Sequence, residues 1–183
     1  MTDRRAEQPR PAGRKRTRPA RQTRPAESRR RQSWSGWGEG EVAEKDRVGV
    51  FLDDVTYTFA DVSVLSIPIL SVLLMAEASE WFGLKAFALV AWLTMVGGAA
   101  LIRGGWVTPL ATDAPGWVAM TPWLIALRLG YYNGTLALAA YGGRALGSAW
   151  SPLAGTAFAF LVGALSVAVF PRVAESFYDV VAA

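Results

Sequence analysis

Apolar and polar residues are sorted along this chain into long separate runs. Between Arg144 and Arg172 there is no charged side chain, and Ser148 to Phe170 forms an apolar run that Pro171 closes. At about 1.5 Å of helical rise per residue, such a run is long enough to cross a hydrocarbon core of roughly 30 Å. Three upstream segments share its character. The first covers residues 59–76, contains Pro68, and exits at Glu77, Glu80 and Trp81. The second covers residues 84–102 and ends at Arg103-Gly104-Gly105-Trp106; the third covers residues 119–141 and is interrupted by Arg128. With the fourth at residues 148–170, the pattern predicts an all-α integral membrane protein. Four transmembrane helices would form a bundle within residues 46–183.

Ahead of the first run, Val48, Leu52, Val55, Phe59 and Val62 recur at alternating spacings of four and three, which places them on one helical stripe. Asp53, Asp54, Tyr57 and Asp61 fall on the opposite side. This spacing predicts a short amphipathic helix, lying at the interface or extending the first span. Residues 34–45, with Trp34, Gly36, Trp37, Gly38 and Gly40, read as an aromatic and glycine hinge. Residues 1–33 hold hardly any aliphatic side chain and repeat Arg-Pro-Ala three times. Such a segment buries too little apolar surface to offset its ordering entropy, so a disordered basic tail is expected.

Charge sharpens this division. Up to Ser33 there are twelve basic and three acidic side chains, a net of +9, while the remainder carries seven against twelve, a net of −5. The tail therefore suits anionic lipid headgroups, at about 1 kcal/mol per basic residue near the surface, or nucleic acid through counterion release. A cytoplasmic N-terminus puts the tail, Lys45, Arg47, Arg103 and Arg172 on the inner side, leaving Lys85 and Arg144 outside. The positive-inside bias thus predicts a multi-pass protein of the cell membrane with both termini cytoplasmic.

Candidate chemistry is narrow. The chain has no Cys and no His, so disulfides, thiolate sites and imidazole catalysis are excluded. No phosphate-cradling loop or nucleophile elbow appears, and no catalytic residue, metal site or cofactor is expected. Asp53, Asp54 and Asp61 read as an exposed acidic helix face, and Asn133-Gly134-Thr135, a glycosylation sequon by pattern, lies inside a predicted span. Arg128 stands out, because a charge at a helix centre costs about 2.5–3.5 kcal/mol on insertion. With a helix starting at Pro122 it lies about 9 Å in, at a depth comparable to that of Asp61. An ion pair between them is expected, with Tyr132 and Thr135 extending the polar face. Ser151, Gly155, Ala159 and Gly163 recur every fourth residue, as do Ala139 and Gly143, predicting close helix packing.

These readings point to a membrane-embedded, non-enzymatic scaffold or accessory subunit whose partners are the bilayer and another membrane protein or a second copy. No specific small molecule is identifiable. A small transporter or channel component with Arg128 as an anion contact is the alternative, and an intramembrane enzyme without His or Cys the third reading.

Overall fold

A computed structural model of the chain describes residues 33–34, 43–76, 83–112 and 122–181. The expected tail up to residue 32 and most of the expected hinge lie outside the described residues. At the hinge's two ends, β1 (Ser33–Trp34) pairs antiparallel with β2 (Ala43–Glu44). The rest of the described chain is helical.

Asp46 starts the first helix, its carboxylate accepting the Gly49 N–H at 2.7 Å, as an N-cap residue does. Helix α1 (Arg47–Leu65) then runs without interruption to Ser66, where the chain bends by 68° into α2 (Ile67–Met75). Pro68 accounts for the break, because it has no N–H to give and crowds the carbonyl four residues earlier. Helix α3 (Leu84–Arg103) closes with Gly105 at φ 69°. Gly105 N–H reaches Ile102 O at 3.0 Å and Trp106 N–H reaches Leu101 O at 2.9 Å, the paired bonds of a glycine-terminated helix. Helix α4 (Pro122–Ala149) follows, and α5 (Pro152–Val181) begins after Ser151, whose hydroxyl accepts the Ala154 N–H.

Helices α1 and α3 run antiparallel, since Asp54 meets Arg103 and Thr58 meets Val96. Helices α4 and α5 are also antiparallel, with Tyr131 against Ser166 and Gly142 against Phe158. Helices α3 and α5 lie side by side in one direction, Ala91 against Gly163 and Gly98 against Val167. Their shared core contains Val62, Phe87, Ala91, Met95, Ala99, Tyr132, Leu136, Ala139, Ala159 and Phe170.

Two expectations are corrected and a third is narrowed. The four-span bundle does not hold: among the described residues two helices, Leu84–Arg103 and Pro152–Phe177, are long and apolar enough to cross a membrane, and the bent α1–α2 pair makes a third only if counted as one span. Helix α4 is long, but Arg128, Tyr131, Tyr132, Asn133 and Arg144 dilute its apolar character. The amphipathic segment is not a separate interfacial helix but the extension of the first run, since α1 is continuous, and its stripe is split, with Val48, Leu52 and Phe59 facing outward and Val62 buried. Pro171, finally, does not end the last helix. The chain continues to Val181, and where the proline disturbs the ladder Leu110 N–H supplies a bond to Ala168 O at 2.8 Å.

Candidate functional site

Two polar residues of α1 are buried in the bundle. Asp54 and Thr58 are buried, whereas Val48, Leu52, Phe59 and Val64 are about half exposed or more. A helix on the surface of a water-soluble domain shows the reverse arrangement. Each inward acid meets a cation from another element. Asp54 Oδ1 lies 3.3 Å from Arg103 Nε, and the Arg103 guanidinium also rests 4.6 Å from the centre of the Tyr57 ring. Asp53 pairs with Lys45, which stands just before the helix. The Thr58 hydroxyl crosses to α3, donating to Val96 O at 3.1 Å.

Deeper along the same helix, the structure brings Asp61, Arg128 and Tyr132 together. Arg128 Nη1 is 3.4 Å from Asp61 Oδ1, and the Tyr132 hydroxyl donates to Asp61 Oδ2 at 3.1 Å. Arg128 is 2% exposed and Tyr132 0%, so the cation and the phenol are enclosed while the carboxylate is only partly so. Arg128 and Tyr132 are four residues apart on α4 and therefore present one face to α1. Phe170 of α5 backs them, its ring centre 5.6 Å from that of Tyr132 and 5.9 Å from the Arg128 guanidinium carbon. The Asp61 carboxylate thus accepts from two α4 donors at once, which ties the two helices at a fixed register.

Thr135 does not join this group. It turns to α5, where its hydroxyl is 2.9 Å from that of Ser166, beside the Tyr131 hydroxyl, which donates to Ser166 O. Of the small residues, Ala139 and Gly143 on α4 and Gly155, Ala159 and Gly163 on α5 are buried at helix contacts. A Cβ on Gly155 would strike the Gly143 carbonyl and the Phe87 ring, and one on Gly163 would come within 2.9 Å of Ala91 O. Ser151 lies outside that seam; it is exposed and caps α5.

Asn133, notable in the sequence only as part of a sequon, joins α4 to the first two helices. Its amide spans the α1–α2 break: Nδ2 donates to Leu65 O at 2.7 Å and Oδ1 accepts the Ile69 N–H at 2.8 Å. A signal for it existed, since a proline inside an apolar run needs outside donors and acceptors for the backbone groups it frees. Asn133 carries its donor and its acceptor on separate atoms of one amide, so it can meet both freed groups at once. Among the described residues no group of His, Cys, Asp and Glu is arranged to hold a metal ion.

Residues 45–177 match a family model described as Domain of unknown function (DUF8215). Neither a curated protein nor a solved structure matches the chain.

Proposed function

We propose that this chain, which belongs to the DUF8215 family, is a membrane-embedded helical scaffold or accessory subunit that carries out no reaction of its own. The observation that carries this reading is the partly inverted amphipathicity of α1, which buries Asp54 and Thr58 and turns Asp61 toward α4 while Val48, Leu52, Phe59 and Val64 face out. Such a helix is favourable only where the surroundings are less polar than the bundle interior. The outward faces of the other helices agree, with Leu89, Leu93, Leu138, Phe160, Leu161 and Leu165 all exposed. Asp54 and Asp61 join α1 to α3 and to α4, which supports a structural role for them. The bundle end that carries Lys45, Arg47, Arg103 and Arg172 would face the cytoplasm, together with the basic tail, by the positive-inside bias.

Single cysteines test this cleanly, because the chain has none of its own. The protein should stay with the membrane pellet through alkaline carbonate washing. Cysteines replacing Arg47 and Arg172 should react with an impermeant maleimide from the cytoplasmic side, and one replacing Lys85 from the opposite side. Release into the carbonate supernatant would overturn the membrane reading.

A second reading has its own support, namely the 3.4 Å separation of Arg128 and Asp61. That bond is long for a charge-assisted pair, and a small anion entering the bundle could compete for the guanidinium. Arg128→Gln separates the two readings. An anion contact predicts lost flux in liposomes with thermal stability intact, and a structural pair predicts lost stability.

A further inference from the structure

The junction between α1 and α2 is an opened helix with its loose ends held by another element. In an unbroken helix the Leu65 carbonyl would accept the Ile69 N–H, four residues on. Here those two groups are parted, and the Asn133 amide takes both, donating to Leu65 O and accepting from Ile69 N. One intrahelical bond has been exchanged for two bonds to α4. The same amide nitrogen also reaches Leu129 O, within its own helix, at 2.6 Å. Asn133 therefore keeps a partner if it lets go of the junction.

Two further observations make the bent state easy to leave. The hydroxyls of Ser63 and Ser66 are buried at the junction without a hydrogen-bond partner, so bending has not satisfied the polar groups around it. Helix α2 is also thinly packed. Leu73 is its one buried apolar side chain, set against Leu84, Ala88 and Ala140, with Ile69 and Leu70 half-buried, while Ile67, Val72, Leu74 and Met75 are exposed. Short elements with few buried apolar side chains occupy the low-stability end of a structure. Helix α1, in contrast, is fixed one turn before the junction by Asp61 and its two α4 donors.

We propose that the α1–α2 junction is a working hinge and that Asn133 is its latch. In the bent state Asn133 holds Leu65 O and Ile69 N apart; in the straighter state those groups bond to each other and Asn133 is released. Helix α2 is the part that moves, pivoting at Ser66 and uncovering Leu84, Ala88 and Ala140. This gives the bundle a moving part that a static scaffold does not need.

Spin labels on Leu52→Cys and Leu74→Cys, both at exposed positions, read the bend by pulsed electron resonance in the full chain. A straight helix separates these positions by about 33 Å, whereas the 68° bend brings them to about 28 Å. The native protein should centre on the shorter distance. Asn133→Leu, which removes both amide bonds at similar volume, should move the main population toward the longer one. An unchanged short distance in Asn133→Leu would overturn the latch. If that variant does not fold, amide exchange in the native protein decides: the hinge predicts that Ile69 exchanges at least about tenfold faster than buried Ala91 of α3. Equal protection at the two sites would show a rigid kink set by packing.

Discussion

Asp61 is the residue on which α1 and α4 meet, and its partners contribute unequally. Both contacts are long, the Tyr132 bond at 3.1 Å and the Arg128 contact at 3.4 Å, and the arginine is the more deeply enclosed of the two ions. Removing one member of such a pair leaves the other charge without its compensation, which costs more than the intact pair contributes. Arg128→Gln should therefore destabilise the protein by about 2–3 kcal/mol in detergent unfolding. Adding Asp61→Asn should recover about 1 kcal/mol of that loss, because the stranded carboxylate is then neutral. Strictly additive losses in that double-mutant cycle would argue that the two groups are not coupled. From the spacing alone, Asp61 and Arg128 read as lying at similar depths. The backing by Phe170, the turning of Thr135 toward Ser166 and the role of Asn133 were not readable that way. They depend on how α5 and α2 are placed against α4, and helical period says nothing about rotation between helices.

At the level of elements, glycine decides how closely helices approach. Gly155 sits where a Cβ would collide with the Gly143 carbonyl and the Phe87 ring, and these are backbone and buried aromatic atoms that have little room to yield. Gly134, on the outer side of the same α4, has nothing within 4 Å of the corresponding position. Gly155→Ala should lower stability by about 1–3 kcal/mol through overpacking. Gly134→Ala should raise it by about 0.5–1 kcal/mol, because alanine loses less backbone freedom in a helix. Thermal unfolding of the two variants checks both signs, and equal effects would mean that the α4–α5 seam is looser than drawn. The fourfold spacing marked Gly155, Ala159 and Gly163 as small positions in the sequence. It could not separate them from Ser151, which shares the spacing but falls one residue before Pro152 and serves as a cap.

Over the whole molecule, charge divides the chain into a strongly basic N-terminal segment and an acidic remainder. On charge alone, the nearby tail arginines are candidate partners for the acids of α1. Among the described residues those acids meet Lys45, Arg103 and Arg128 of the body. In the proposed reading the basic tail serves an external anionic surface. Deleting residues 2–33 should abolish salt-sensitive binding to vesicles containing anionic lipid while leaving the helical content of the body unchanged. Binding that persists after deletion would locate the basic surface elsewhere, and binding of nucleic acid in place of vesicles would redirect the assignment of the partner.

Composition and run length were enough to establish that the body is helical and carries long apolar segments, because burial in an apolar medium demands closed backbone hydrogen bonding over a set length. They also placed the close of α3 at its glycines, since only glycine adopts Gly105's backbone angles without penalty. They overcounted spans by admitting the run interrupted by Arg128 and the run broken at Pro68 as full crossings. The bend at Ser66, the polar dilution of α4 and the continuation of α5 through Pro171 emerge only in the folded chain. The reason is that a proline or a charge in a helix is tolerated or not according to what neighbouring helices supply, and that supply, here from Asn133, Leu110 and Asp61, comes from residues distant in the chain.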